Sequence, residues 1–378
     1  TGMAKPVSVK KHSIRFYEAR RITELRTQLN RELIWLYRGH YIPATRILPP
    51  KVACQPGMTM QTEIEIKFFV SRDIRQPFFN LLNSLEIISN SQAELGNVYF
   101  DTPTLDLRRL EMGLRIRRSD DFAEQTIKCR GQAVGGLHAR PEYNAPVAGD
   151  MPALDAFPNE IWPSLSTRDA IQGALVAQFR TDFLRRHWLI SFEGAEIELA
   201  WDQGEIVGVL GKSRIDELEL ELKSGEASAL FGLAEQLAGL GGLRLGAQSK
   251  AQRGYRLAGL GKPLALQALP ALTDLSAAER IALGLQHWQH HEQYWLEQTD
   301  AEAQGLALQQ LRLGMDLIAE AAGRLPAADW LVELTRFGPR LASVAGQADW
   351  QQALPALFLQ ADYVRLQLAI AAWLHRQG

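Results

Sequence analysis

The chain has 378 residues, 46% of them hydrophobic and 22% charged, with a formal net charge of −2. That length predicts two domains, and the composition is that of an ordinary globular protein. No stretch reaches the roughly 20 uncharged apolar residues of a membrane-spanning helix, and no signal-peptide core lies near the start. The two cysteines, Cys54 and Cys129, lie far apart without metal-ligand spacing. A reduced, cytoplasmic setting without a structural disulfide is expected.

The charge is unevenly spread. Residues 1–57 hold eleven Lys or Arg against three acidic residues, which leaves 30 basic and 40 acidic residues for the rest of the chain. A basic arm can bind nucleic acid, but Met58 and Met60 stand just before the first well-patterned strand. Residues 1–57 are therefore expected to be an extension outside the functional fold. Within it, Leu25, Leu29, Leu33 and Leu36 allow a helix over residues 18–38.

From residue 61 the pattern has a period of two. Glu63-Ile64-Glu65-Ile66-Lys67-Phe68 alternates charge and hydrophobe, as a strand with two unlike faces does. Residues 73–86 predict a helix with Pro77 in its first turn, then a strand from Leu95 to Asp101 ending at Thr102-Pro103. A short polar helix and Gly113 lead into the strand Leu114-Arg115-Ile116-Arg117-Arg118. Further strands are expected at 124–130, 137–144, 183–193, 195–201, 205–211 and 214–222, with turns at Gly131, Gly194 and Gly204. Residues 150–176 predict loop plus a short helix. Helices follow from Ser228 to Leu240 and over Ala247 to Leu257. Beyond a linker at 261–274, residues 275–378 have helical spacing, with breaks expected near Pro326, Pro339 and Pro355.

Residues two apart share a face of a strand. Glu63, Glu65 and Lys67 therefore lie together, as do Arg115 and Arg117, Lys128 and Arg130, and Glu217, Glu219, Glu221 and Lys223. One such strand would ordinarily show its charges to water. Recurrence on several strands admits another arrangement, in which the charges line a closed barrel. Buried charge is costly unless matched, and this inventory is mixed. Carboxylates suit a hard cation, and guanidinium and ammonium groups suit phosphate oxygens.

Glu63-Ile64-Glu65-Ile66-Lys67 resembles the ExExK signature of the CYTH family, the triphosphate tunnel metalloenzymes. Tyr99-Phe100-Asp101-Thr102-Pro103, Gly113-Leu114-Arg115-Ile116-Arg117, Thr126-Ile127-Lys128 and Arg140-Pro141-Glu142 are similar to that family in order and spacing. So are Thr181 to Arg186, Asp202, Glu217 to Lys223, Ser249-Lys250 and Arg253-Gly254-Tyr255. A lone ExExK is a weak signal; the ordered series over about residues 60–260 is a specific one.

The resemblance implies an eight-stranded antiparallel β-barrel tunnel with flanking helices, and with the helical spacing of residues 275–378 the fold expected is α+β followed by an all-α helical domain. The boundaries expected are 58–262 for the tunnel and 270–378 for the helices. It implies a Mg²⁺- or Mn²⁺-dependent hydrolase acting on a small-molecule triphosphate, with inorganic triphosphate favoured. Glu63, Glu65, Asp202, Glu219 and Glu221 would bind metal, and Glu63 and Glu65 would serve catalysis through it. Lys67, Arg115, Arg117, Lys128, Arg185 and Arg186 would grip phosphate, although strand parity lets only one of the last two point inward. Lys250 would bind substrate and assist proton transfer or the leaving group. The expected chemistry is in-line attack of water on a terminal phosphorus. Adenylate cyclase and thiamine triphosphatase share the tunnel, and a non-catalytic polyphosphate-binding module is the alternative of another class. Neither a membrane nor a nucleic acid is expected as partner.

His287, His290 and His291 are expected to serve an amphipathic helix rather than a metal. Cys129 is expected to be a packed residue, and Gly241-Gly242 a helix cap. The helical region resembles the start of a CHAD domain, a partner of CYTH that binds polyphosphate through repeated basic residues. Leu308 to Leu325 offers only Arg312 and Arg324, and the segment is short for a whole domain. A truncated or degenerate domain without polyphosphate binding is therefore expected.

Overall fold

The computed structural model describes residues 59–377, apart from residues 121, 135–136, 247 and 326–327. The expected N-terminal extension, with its helix at 18–38, lies outside the described residues.

Among the described residues ten strands form one sheet: β1 (Thr59–Val70), β2 (Glu86–Asp101), β3 (Gly113–Arg118), β4 (Ala123–Lys128), β5 (Gln132–Val134), β6 (Leu137–Pro146), β7 (Val176–Phe192), β8 (Ala195–Gly208), β9 (Gly211–Ser224) and β10 (Leu243–Leu245). Their order is β10-β1-β9-β8-β7-β2-β3-β4-β6-β5, and β1 also pairs with β6. That last pairing closes eight antiparallel strands into a barrel, with β5 and β10 as short additions. Closure leaves the eight strands without free edges.

Helices cover the outside. They are α1 (Arg75–Leu82), α2 (Asp106–Arg109), α3 (Leu165–Ala174), α4 (Ala227–Ala238), α5 (Lys250–Leu257), α6 (Ala277–Glu297), α7 (Ala301–Ala322), α8 (Asp329–Ala345), α9 (Trp350–Phe358) and α10 (Ala361–Gln377). Ile66 and Phe68 of β1 and Leu218 and Leu220 of β9 face outward into one apolar cluster with Leu230 and Leu233 of α4. The same cluster continues through Leu285 and Trp288 of α6 to Ile318, Phe358 and Tyr363. α4 is apolar nearly all round because it is buried on both sides, between the barrel wall and α10. Where α6 and α7 cross, Gly284 and Gly314 meet: a Cβ on Gly284 would stand 2.7 Å from the Gly314 carbonyl oxygen. A second outer cluster joins Phe100, Leu114, Ile127 and Tyr143 to Leu154, Phe157 and Ile171.

The chain departs from expectation in four places. Gly204 is no turn. β8 runs straight through it, and Gly204 pairs with Phe183 of β7. A Cβ there would lie 2.1 Å from the Asp182 carbonyl oxygen, so glycine is needed for close strand approach. β2 begins at Glu86 rather than Leu95; its first seven residues are exposed, so burial imposes no alternation on them. β7 likewise begins at Val176, ahead of the expected 183. Pro339 and Pro355 lie inside α8 and α9 without ending them. The α8–α9 interruption comes at the C-cap Gly346, and the expected break at Pro326 touches residues outside those described.

Candidate active site in the barrel

Strand parity turns the charges of β1 inward. Glu63, Glu65 and Lys67 are at most 6% exposed, and each alternates with a residue facing the outer cluster. From β9 come Glu217, Glu219 and Glu221; from β8 come Asp202 and Glu198, opposite Glu217 and Glu221 in register. Arg185 of β7 pairs with Asp202. Arg115 and Arg117 of β3 stand beside Tyr99 and Asn97 of β2, and Lys128 of β4 beside Glu142 of β6.

α5 closes one end. Its start is set by a capping box between Ser249 and Gln252. Its Tyr255 packs with inner-face Phe179, Phe183, Ile206 and Ile215. Tyr255 also donates its hydroxyl to Asp101 at 3.1 Å. Asp101 in turn accepts from the backbone N–H groups of Thr102, Leu107 and Arg108, which fixes α2. From the first turn of α5, Lys250 reaches Asp202 and Glu217 at 2.8 Å and Glu219 at 2.9 Å.

The interior charges sort into two walls. On β1, β8 and β9 the carboxylates dominate. Glu65 faces Glu221 in register, and Glu221 faces Glu198 on its other side. Burial, with Glu63 and Glu198 nearby, raises the Glu221 carboxyl above its ordinary range despite Lys223 at 2.8 Å. Glu63 is held the other way. Burial opposes its charge, but Lys128 and Arg140, at 2.6 and 2.9 Å, keep it well below the carboxylate range. Glu219 and Asp202 are similarly lowered against burial, Glu219 by Lys250, Lys67 and Arg185 and Asp202 by Arg185 and Lys250. Burial also opposes the charge on Lys250, yet its three carboxylates raise it well above the ordinary ammonium. The same three carboxylates hold the Lys250 ammonium in place.

The opposite wall carries excess cation. Among the described residues neither Arg115 nor Arg117 makes an ion pair with a carboxylate. Arg117 donates from Nε to Asn97 at 2.9 Å. Burial, with Arg115 and Arg185 close by, lowers its guanidinium to about 9. Arg115 leaves its Nε buried without a partner. Such a group is costly until an acceptor arrives.

Every residue of the expected site is brought to this interior except Arg186. It pairs with Trp201 on the outer face and donates to Gln203 at 3.0 Å, because its neighbour Arg185 takes the inward parity. Arg186 is thereby corrected to an outer-wall residue. Arg140, Glu142 and Glu217, which the sequence motifs contain without a site role, belong to the interior, and so does Glu198, which the sequence reading did not single out. Parity was the available signal for Glu217, which shares a face with Glu219 and Glu221.

The carboxylate wall fits a hard divalent cation by donor type and by the adjacent like charges of Glu65, Glu221 and Glu198. As the side chains stand, no three His, Cys, Asp or Glu converge as a ready metal cluster among the described residues. Their carboxylates are engaged by lysine and arginine instead. Outside the barrel, His291 Nδ1 bonds to the His287 carbonyl at 2.8 Å, and its Nε2 accepts from the Gln267 N–H at 3.1 Å. Cys129 is packed at the edge of the second outer cluster, and burial raises its thiol to about 11. No helix of the described residues is long and apolar enough to cross a membrane.

The CYTH domain profile matches residues 61–255, just over half of the chain. An inorganic triphosphatase of Haemophilus influenzae is 38% identical over 203 residues, covering 52% of this chain and 55% of its own. The chain thus spans about half the length of that curated relative. Among solved structures, a putative adenylyl cyclase from Hippeastrum, described as having a dominant triphosphatase activity, aligns with a TM-score of 0.39 and 20% identity over 51% of this chain and 95% of that one. A putative adenylate cyclase from Bacillus halodurans aligns with a TM-score of 0.35 and 22% identity over 51% and 97%.

Proposed function

We propose, because the chain belongs to the CYTH domain family, that its tunnel hydrolyses a linear triphosphate, inorganic triphosphate above all, to pyrophosphate and phosphate. The observation that carries this reading is the division of the interior. Arg115 and Arg117, without carboxylate partners, look across at the like-charged row Glu65, Glu221 and Glu198. A lone anion would satisfy the first wall only, and a lone cation the second. A metal-bound polyphosphate satisfies both.

In this scheme Arg115, Arg117 and Arg185 take the phosphate oxygens, with Lys67 and Lys128 contributing charge from β1 and β4. Glu65 and Glu221, with Glu63, Glu219 and Asp202 behind them, would hold Mg²⁺ or Mn²⁺. That ion would supply charge neutralisation and Lewis acidity at the phosphate. Water adds to a terminal phosphorus as the bridging P–O bond breaks, the pyrophosphate oxygen leaves with the electron pair, and the proton that the water gives up passes to the phosphate oxygens and on to solvent. Lys250, pinned by three carboxylates, stabilises developing charge rather than donating a proton. The reacting unit on this reading is residues 58–262. The helices at 270–378 take no part in the chemistry, and polyphosphate binding on them has little support. Arg324, Arg336 and Arg340 are engaged by Glu320, Glu333 and Asp362.

The test is phosphate release from inorganic triphosphate, ATP, thiamine triphosphate and long-chain polyphosphate, with Mg²⁺, Mn²⁺ or EDTA. Inorganic triphosphate should be turned over fastest, and EDTA should stop the reaction. Absence of metal-dependent turnover on all four substrates would overturn the proposal.

A further inference from the structure

A cavity of about 460 Å³ lies on the far side of α5 from the tunnel, between the barrel and α6. Four arginines line it: Arg214 from β9, Arg244 from β10, and Arg253 and Arg256 from α5. Only two lining residues are acidic, Asp216 and Glu297. We propose that this cavity is a second anion site, built to take a small tetrahedral oxyanion of the orthophosphate type.

Arg244 is the strongest witness. It is only 9% exposed, yet its hydrogen bonding among the described residues is a single long contact of 3.5 Å to Glu292. Its guanidinium lies 4.9 Å from the centre of the Phe69 ring, and that of Arg253 lies 5.6 Å from the same ring. Two like charges are thereby gathered at one aromatic ring. Burial also lowers Arg253 below the ordinary guanidinium, against the pull of Glu217. Gln248 and Gln293 also line it, and their amides donate to Glu297. Forked N–H groups in this number suit the oxygens of a phosphate.

The cavity is separate from the tunnel. Glu217 divides the two, meeting Lys250 on the tunnel side and Arg253 on the cavity side. α6 supplies Gln293 and Glu297, so the site is complete only where the helical region meets the barrel. Glu297 holds Arg256 at 2.8 Å and sets that wall. An anion in the cavity would compete with Glu217 for Arg253 and so reach the clamp on Lys250.

The test is calorimetric titration of the full chain with orthophosphate in EDTA. Two classes of site are expected. Arg214→Gln combined with Arg256→Gln should weaken one class at least about tenfold, Arg117→Met should weaken the other, and Arg256→Lys should preserve both. A single class removed by Arg117→Met alone, no binding at all, or binding indifferent to the double substitution would overturn the proposal. If the tunnel reading is the one at fault, Arg117→Met leaves both classes intact. Should the double variant not fold, arginine modification by phenylglyoxal on the wild type decides. Saturating orthophosphate should protect Arg214 and Arg256, and no protection overturns the site.

Discussion

Glu65 of β1 and Glu221 of β9 are direct partners across the barrel wall, two carboxylates where a sheet ordinarily sets opposite charges. A like-charged pair of this kind costs roughly 0.2–1 kcal/mol in an exposed sheet, and burial makes it worse. The arrangement makes sense if a cation completes it. In EDTA, Glu221→Gln should then melt at or above the wild type. With Mg²⁺ the order should reverse, because a ligand at 100 times its Kd adds about 2.7 kcal/mol to the protein that binds it. A wild-type melting temperature indifferent to Mg²⁺ and Mn²⁺ would count against the metal.

Arg117 has no carboxylate to lose. Arg117→Met should leave the resting fold about as stable as before. It should lower kcat/KM by one to two orders of magnitude, the equivalent of roughly 1.5–3 kcal/mol for a charged hydrogen bond. Steady-state kinetics beside a denaturant titration will separate the two effects. A large loss of stability with normal kinetics would show that the guanidinium serves the wall and not the substrate.

Lys250 is the reverse case. Lys250→Met leaves Asp202, Glu217 and Glu219 facing one another with one cation fewer. Removing one partner of a buried ion cluster costs about 3–5 kcal/mol. Equilibrium unfolding should show that loss before any assay is run, and unchanged stability would mean α5 is not the plug described above.

Gly204→Ala should be poorly tolerated. Its methyl would stand 2.1 Å from the Asp182 carbonyl oxygen, and overpacking of this sort costs about 1–3 kcal/mol. Gly113→Ala is the control, since nothing lies within 4 Å of a Cβ there. Equal melting temperatures for the two variants would restore the turn that the sequence suggested at Gly204.

Acid should act partly through Glu142. Burial opposes its charge, but Lys128 lowers its carboxyl from 4.5 to about 2 in the folded chain. A depressed folded value means stability that is present above pH 4.5 and lost as the pH falls towards 2. Glu142→Gln should flatten the dependence of melting temperature on pH in that window. Glu221 is shifted upward and works in the opposite sense, so the variant must be compared with the wild type and not with a neutral baseline.

The barrel was legible because parity is a strict rule. Glu63, Glu65 and Lys67 could only share a face, and the apolar partners Ile66 and Phe68 had to find helices. Phe69 carries the parity of Lys67 although it is apolar. β1 in fact continues to Val70 without a bulge, and Phe69 pairs with Glu217 beneath two guanidinium groups. An aromatic ring is at home there, which hydropathy alone does not express. Glu198 was missed, and Arg140 stood in a motif without a role, because their strands are mixed in character and only the register sets them beside Glu221 and Glu63. Gly204 misled because glycine marks both turns and close approaches, and composition does not tell them apart.

The strands that carry the carboxylates hang from the helices by their other face. Ile66, Phe68, Leu218 and Leu220 share their apolar cluster with residues as distant as Phe358 and Ile370. A chain cut after α5 would therefore present an oily wall to water, and self-association would be its natural fate. The helical region thus acts as a splint on β1 and β9 by way of α4. A loosened contact at Trp288 or Leu285 would be passed to β1 and β9 through the apolar cluster that they share.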